Sequence, residues 1–310
     1  MNTASLNEQQ HEALARLGSF ATANESLAPY TTYRVGGSAS VFASPRNDDE
    51  LQLLAEVVRD TGLSTLVVGR GSNLLVADGG FPGIAISLAA IAEWVRFDDV
   101  DVYAGAAMAL PVLARRSVAA GLVGFEWAVG VPGSIGGAVR MNAGGHGSDM
   151  AASLVGVHLL DLTTTFRTWV TAEQLRLRFR GSDIRDDQIV LDAQLLLQHG
   201  DTKAAEATLS EIVRWRREHQ PGGQNAGSVF VNPIPGELAA AELIDKLELR
   251  GFRIGGASVS EKHANFIQAS EKCTAADVRA VIEHVRAEVR RATGIELRSE
   301  VTLVGFGERL

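Results

Sequence analysis

The sequence predicts an α+β protein of two or three domains, on three observations. Helix and strand patterns alternate up to about residue 90. The stretch from there to about 202 is rich in short apolar runs of strand length. The remainder carries amphipathic helical patterns and a closing strand. A chain of 310 residues fits two or three domains at roughly 100–200 residues each. We place boundaries at 1–90, 91–202, 203–298 and 299–310.

The elements follow in order. Ala4 to Leu17 reads as a helix, and Asp48 to Asp60 as a second, with Asn47 or Asp48 as N-cap and Gly62 as its stop. Ser64 to Gly69 and Gly83 to Leu88 are short buried strands. Trp94 to Phe97, Val100 to Ala104, Val155 to Asp161, Arg167 to Thr171 and Ile189 to Gln198 follow as strands. Between them Leu110 to Ala120 is a helix ending at Gly121, before a long glycine-rich loop. Ala204 to Glu218, Leu238 to Leu247 and Ala275 to Thr293 are helices, and Glu300 to Phe306 is a last strand. Val278, Val281, Ile282, Val285 and Val289 fall at helical spacing and read as a core-facing stripe.

Composition excludes several classes. Hydrophobic residues make up 46% and charged residues 21%, enough for a sizeable core. The net charge is -8 and the pI about 5.4, which argues against nucleic-acid binding. The polar N-terminus lacks the basic and apolar blocks of a signal peptide. No apolar run approaches the roughly 20 residues of a membrane span. The single cysteine, Cys273, excludes an intrachain disulfide and fits a reducing compartment. No base is evident near it, so we read it as inert. A soluble cytoplasmic protein is expected, without metal, since no His, Cys and carboxylate cluster has ligand spacing.

The 32 glycines, against 8 prolines, are clustered. Gly69-Arg70-Gly71-Ser72-Asn73-Leu74 follows a strand directly. Its glycines permit a tight turn and expose amides that can face a phosphate. It lacks the third glycine and following helix of the dinucleotide fingerprint, so a plain strand–strand turn stays open. Val131 to Gly145 is harder to read as a plain loop. Its small residues clear space for a large flat ligand, and a second anion-binding stretch suggests a pyrophosphate.

Four motifs occur in order: Gly-Arg-Gly-Ser-Asn-Leu-Leu-Val from Gly69, Val-Pro-Gly-Ser-Ile-Gly-Gly-Ala-Val-Arg-Met-Asn-Ala-Gly from Val131, Ala-Gly-Ser-Val-Phe-Val-Asn-Pro from Ala226, and Ser-Glu-Val-Thr-Leu-Val-Gly from Ser299. Together they closely resemble the UDP-N-acetylenolpyruvoylglucosamine reductase family, over nearly the whole chain from Thr31 to Gly305. The resemblance implies a p-cresol methylhydroxylase/vanillyl-alcohol-oxidase-type FAD-binding domain of two α+β subdomains, 1–90 and 91–202. It also implies a substrate domain at 203–298 and a C-terminal strand that returns to the FAD-binding part. Lys246 to Ile267 is similar to the shorter subtype, which lacks an extra substrate-covering loop. Three positions depart from the family: Gly145-His146-Gly147 stands where Ala-Tyr-Gly is common, Thr302 where a basic residue is common, and Val231 where lysine often precedes the Asn232-Pro233 turn.

The implied activity is NADPH-dependent reduction of UDP-N-acetylglucosamine enolpyruvate in peptidoglycan precursor synthesis, by a monomer using noncovalent FAD. Flavin contacts are expected from Arg34, Gly69, Arg70, Gly71, Ser72, Asn73, Leu74, Val131, Gly133, Ser134, Gly136, Gly137, Ala138, Asn142 and Gly144. Pyrophosphate is expected on Gly69 to Asn73 and Gly133 to Ala138. Ser228 matches the family's proton donor to C2 of the enolpyruvyl group; by itself it reads as a serine in a turn. Arg180, in Phe-Arg-Gly-Ser, matches the arginine on the substrate carboxylate, a group a guanidinium binds bidentately; its bland reading is a surface arginine. Glu300 matches the glutamate that donates a hydrogen bond to the developing enolate, and is otherwise a solvated strand-end residue. His219, Asn232 and His263 are candidate substrate contacts, with a satisfied core role open for His263. Two rivals are an FAD oxidase of the same superfamily, with His146 as a point of covalent attachment, and a nucleotide-sugar binding module without catalysis.

Overall fold

The computed structural model describes residues 5–234 and 236–307. Within them the chain forms two compact units, each built from discontinuous segments. The first comprises the chain up to Glu25, Ser40–Arg70 and Pro82–Arg216. The second comprises Ser26–Ala39, Gly71–Phe81 and the chain from Arg217 onward. The sequence-based segments are contiguous, and the one up to residue 90 contributes to both units. Strand pairing is the reason: 71–81 holds a strand whose partner is the C-terminal strand, described below.

The first unit opens with α1 (Glu8–Leu17), started by Asn7, whose side chain accepts from Gln10 N while the Gln10 side chain accepts from Asn7 N. Ala4, where this helix was expected to begin, lies outside the described residues. Then come β1 (Ala21–Ser26), β2 (Ser38–Ala43), α2 (Asp48–Thr61), β3 (Thr65–Val67) and β5 (Phe81–Ile86), with β4 (Leu74–Val76) lying between the last two in sequence but belonging to the second unit. Of the two expected caps for α2 it is Asn47 that accepts from Glu50 N, and Gly62 ends the helix at φ 64°. A four-stranded sheet has the order β1-β2-β5-β3, with β3 parallel to β5. Strands β1 and β2 were not expected, since Ala-Thr-Ala-Asn-Glu-Ser and Ser-Ala-Ser-Val-Phe-Ala carry no long apolar run.

Next are α3 (Ala89–Ala92), β6 (Val95–Asp98), β7 (Asp101–Gly105), α4 (Leu110–Ala119), β8 (Leu122–Val123), α5 (Ile135–Met141), β9 (Gly144–Gly145), β10 (Ser148–Asp149), β11 (Leu154–Asp161), β12 (Arg167–Thr171), β13 (Gln188–Leu196), β14 (Gln198–His199) and α6 (Thr202–His219). Strands β12-β11-β13-β7-β6 form an antiparallel sheet in that order. Parts of its strands keep the two-residue period of a half-buried sheet: Val102 and Ala104, Val157 and Leu159, Ala193 and Leu195 are buried with Leu113 and Val118 of α4. Helix α5 lies inside the stretch expected to be a loop. Gly136 and Gly137 weaken its intrinsic propensity, but tertiary contacts compensate. Ile135 N donates to Met108 O (2.9 Å) and Gly136 N to Ala106 O (2.8 Å).

The second unit holds α7 (Ala240–Lys246), β15 (Arg253–Ile254), β16 (Ala257–Val259), β17 (Ile267–Ala269), α8 (Ala275–Thr293) and β18 (Thr302–Val304). Strands β15-β16-β17 form an antiparallel sheet against α8. The valine and isoleucine stripe of α8 is buried as its spacing predicts. Asp78 accepts from Ala275 N and Ala276 N, both at 2.9 Å, and so fixes the start of α8. Strand β18 runs parallel to β4, with Thr302 opposite Leu74 and Val304 opposite Val76. Among the described residues no helix is long and apolar enough to cross a membrane, and no His, Cys, Asp and Glu group could hold a metal ion.

Candidate active site

In the first unit Gly69 ends the segment after β3 and faces Ser134, the residue before α5. A Cβ at Gly69 would stand 2.5 Å from Ser134 Oγ, so the glycine and the serine hydroxyl lie in close approach. Leu110 N donates to Gly133 O at 3.0 Å, which anchors the loop ahead of Ser134. The amides of Ile135 and Gly136 are already spent on backbone carbonyls, so fewer donors face outward from Gly133 to Ala138 than the sequence suggests. Gly136 is small for a packing reason as well: its Cβ would meet Ala106 Cβ at 3.0 Å.

Asn142 closes α5 at φ 39° and is buried. Its side chain donates to Asp149 Oδ2 (3.1 Å) and Arg178 O (3.3 Å) and accepts from Ala151 N (3.0 Å). These bonds knot the loop that carries Gly144 and His146. Arg180 sits in a tight turn closed by bonds between Arg178 and Gly181, with φ 55°. Its Nη1 donates to Gly144 O at 3.2 Å, and its guanidinium lies 5.2 Å from the Phe179 ring. The arginine is thus held against the carbonyl of an expected flavin-loop residue.

In the second unit Gly71, at φ 57°, packs against backbone. A Cβ there would come within 2.0 Å of Tyr30 O, so this glycine is required by the fold whatever it binds. Asn73 donates its side-chain amide to Glu300 O at 2.9 Å, and its own carbonyl accepts from Thr302 N at 2.9 Å. Arg34 donates to Pro29 O at 3.0 Å.

Ser228 follows Gly227, whose φ of 75° turns the chain and whose amide donates to Asn225 Oδ1 at 3.0 Å. From there the backbone runs between two other segments. Ser228 bridges to Phe266, and Val229 N donates to Asn265 O at 2.9 Å. On the other side Glu300 N donates to Val229 O at 2.7 Å, and Val231 N to Arg298 O at 3.0 Å. The buried Asn265 side chain completes the clamp, accepting from Phe230 N (2.9 Å) and donating to Phe230 O (2.8 Å). The fold therefore brings Ser228 and Glu300, 72 residues apart in sequence, onto neighbouring hydrogen-bonded segments, both half-buried. Asn265 was missed from the sequence, because a lone asparagine carries no periodic signal.

The remaining candidates are placed as follows. Asn232 Oδ1 accepts from Ala240 N at 3.1 Å and so steadies the start of α7. His263 is half-buried; its Nδ1 accepts from Asn265 N at 3.2 Å and its ring meets Phe266 edge-on at 4.8 Å. Burial, and then the Arg250 charge, lower its pKa. His219 is the exposed last residue of α6. Cys273 is half-buried, and burial followed by the charge of Asp277 pushes its thiol up to about 11.

Comparison with known proteins adds the following. Residues 219–304 match the C-terminal domain of UDP-N-acetylenolpyruvoylglucosamine reductase, and residues 39–168 match an FAD binding domain. The chain is 44% identical over 283 residues to the UDP-N-acetylenolpyruvoylglucosamine reductase of Heliobacterium modesticaldum, covering 91% of this chain and 90% of that one. It is 37% identical over 286 residues to the Bacillus subtilis protein of the same name, covering 91% and 93%. The crystal structure of the Thermus caldophilus UDP-N-acetylenolpyruvylglucosamine reductase superposes with a TM-score of 0.78 at 32% identity, covering 92% of this chain and 98% of that one.

Proposed function

The chain belongs to the UDP-N-acetylenolpyruvoylglucosamine reductase family, and from that premise we propose that it reduces the enolpyruvyl group of UDP-N-acetylglucosamine enolpyruvate to give UDP-N-acetylmuramate, with NADPH as the electron source and noncovalent FAD as the carrier, in the cytoplasm. The single observation that carries this reading is the ribbon on which Ser228 and Glu300 stand side by side, joined through the 2.7 Å bond from Glu300 N to Val229 O.

When bound, FAD would supply two-electron hydride chemistry between NADPH and the substrate double bond. The close approach of Gly69 to Ser134, with the Ser134 hydroxyl aimed across it, fits a ligand that must pass near the backbone. Gly69, Gly133, Ser134 and Gly137 would line it, and Arg180 stands on the Gly144 carbonyl beside the same loop.

Three side chains divide the remaining work. Arg180 pairs with the substrate carboxylate and keeps its charge throughout. Ser228 gives its hydroxyl proton to C2 as hydride arrives at C3, so one hydride and one proton saturate the double bond. Glu300, protonated beside the carboxylate, donates a hydrogen bond to the developing enolate. A like-charged neighbour favours that neutral form, and a donor fixed beforehand costs no reorganisation during the reaction.

An absorbance spectrum of the purified protein tests the reading. A flavin band should bleach on anaerobic NADPH and return on adding the enolpyruvyl substrate. Yellow colour that stays with the denatured protein, with return only in oxygen, would instead favour an oxidase with covalent flavin. Absence of colour after reconstitution with FAD would favour a binding module.

A further inference from the structure

Ser228, the proposed proton donor, is anchored on both sides by an asparagine. Before it, Gly227 N donates to Asn225 Oδ1 at 3.0 Å. After it, three bonds reach Asn265: Val229 N to Asn265 O (2.9 Å), Phe230 N to Oδ1 (2.9 Å) and Nδ2 to Phe230 O (2.8 Å). Asn225 is half-buried, whereas Asn265 is only 4% exposed. A primary amide buried this deeply is costly unless it is paired, and the main chain of one residue, Phe230, meets both its oxygen and its nitrogen.

Asn265 is itself fixed. Its amide donates to His263 Nδ1 at 3.2 Å, Phe266 N to His263 O at 3.0 Å, and Ser260 N to Phe266 O at 2.8 Å. Ser260 Oγ accepts from Lys262 N at 3.1 Å, and Ser260 and Phe266 are buried. The turn at 260–266 is thus closed on itself, and a short side chain passes its position to Phe230, two residues after Ser228. The opposite edge of the same ribbon is held through Val229 O and Val231 N, which bond to Glu300 N and Arg298 O. The oxygen of a serine follows its backbone and one torsion, so whatever holds residues 227–230 decides where the Ser228 hydroxyl stands. Misplacing a reacting group by about 1 Å can cost on the order of 10²-fold in rate.

We propose that Asn265 is a positioning residue of the reaction: it sets the Ser228 hydroxyl against C2 of the enolpyruvyl group and acts on the rate through Ser228. The inference rests on the reductase reading, which supplies the substrate and the role of Ser228.

The test is a double-mutant cycle on the holoenzyme, with each half-reaction followed by stopped-flow absorbance well below the Tm of every variant. Asn265→Ala removes both side-chain bonds. Asn265→Asp keeps the shape and the acceptor for Phe230 N, and carries the test if the alanine variant does not fold. In either, flavin reduction by NADPH should keep its rate and FAD occupancy should stay full. Reoxidation by the enolpyruvyl substrate should slow by roughly tenfold to a hundredfold, as a fall in kcat with KM near wild type. In a Ser228→Ala background the same change should slow reoxidation by less than about threefold, because residues that act as a unit are not additive. Val281→Ala, in the core of the same unit, is the control: it should lower Tm and leave reoxidation alone. Full slowing in the Ser228→Ala background overturns the proposal, since Asn265 would then act on something else. So do reoxidation at the wild-type rate, a loss shared by both half-reactions, and a control that slows reoxidation equally. Wild-type protein whose reduced flavin the substrate does not reoxidise would instead overturn the reductase reading, and the inference with it.

Discussion

The side-chain amide of Asn73 donates to the backbone carbonyl of Glu300 at 2.9 Å, and the backbone returns the bond through Thr302 N to Asn73 O. Asn73, expected to face a phosphate, thus also holds the backbone of the segment that carries the proposed enolate-stabilising glutamate. Asn73→Ala and Asn73→Asp both remove the donor. Each should lower Tm by about 2–4 °C, the size of one part-buried hydrogen bond. Each should also slow flavin reoxidation by the enolpyruvyl substrate while FAD occupancy stays full. Loss of flavin with unchanged Tm would return Asn73 to the cofactor site.

Ser228→Ala should separate the half-reactions. Reduction by NADPH needs no proton at C2 and should keep its rate. Reoxidation by substrate should slow by about 10²–10⁴, the contribution of a positioned proton donor, and Ser228→Cys should recover part. Stopped-flow absorbance at the flavin band follows each half alone. An alanine variant that reoxidises at the wild-type rate leaves Ser228 a turn residue. Glu300→Gln should slow the same half by roughly 10²–10³.

His263 should contribute a pH-dependent part of the stability. Its Nδ1 accepts from Asn265 N, so protonation there costs a hydrogen bond inside the clamp that holds Phe230. Its folded pKa lies below the ordinary value, so the folded state favours the neutral ring. The stabilisation is complete above about pH 6.5, the ordinary histidine value, and is lost as pH falls below it toward the depressed folded value. Urea midpoints between pH 7.5 and pH 5 should decline, and His263→Gln should flatten the decline. An identical slope in the variant would rule the histidine out.

Cys273, at about 11, should alkylate slowly. Thiolate is the reactive form, so iodoacetamide at pH 8 should label it roughly two orders of magnitude more slowly than an ordinary cysteine. Cys273→Ser should leave turnover unchanged. Rapid labelling of the folded protein at pH 8 would contradict the buried environment.

The sequence by itself determined every element whose signal is local. Helix α2 has its cap, its stripe and its stopping glycine in consecutive residues, and α8 keeps its apolar spacing over 19 residues. Strand β12 was placed to the residue, because alternating polar and β-branched residues mark it without outside help. The order of the four motifs also carried the family and its candidate residues. Tertiary structure alone decided the rest, because those features rest on backbone contacts between distant segments. Helix α5 forms in a glycine-rich stretch since the Ala106 and Met108 carbonyls take its first amides. Gly71 is forced by the carbonyl of Tyr30, and Asn142 is consumed in knotting its own loop. Ser228 and Glu300 become neighbours only because Val229 accepts from Glu300 N and donates to Asn265 O. A hydrogen bond between main chains leaves no mark on side-chain identity.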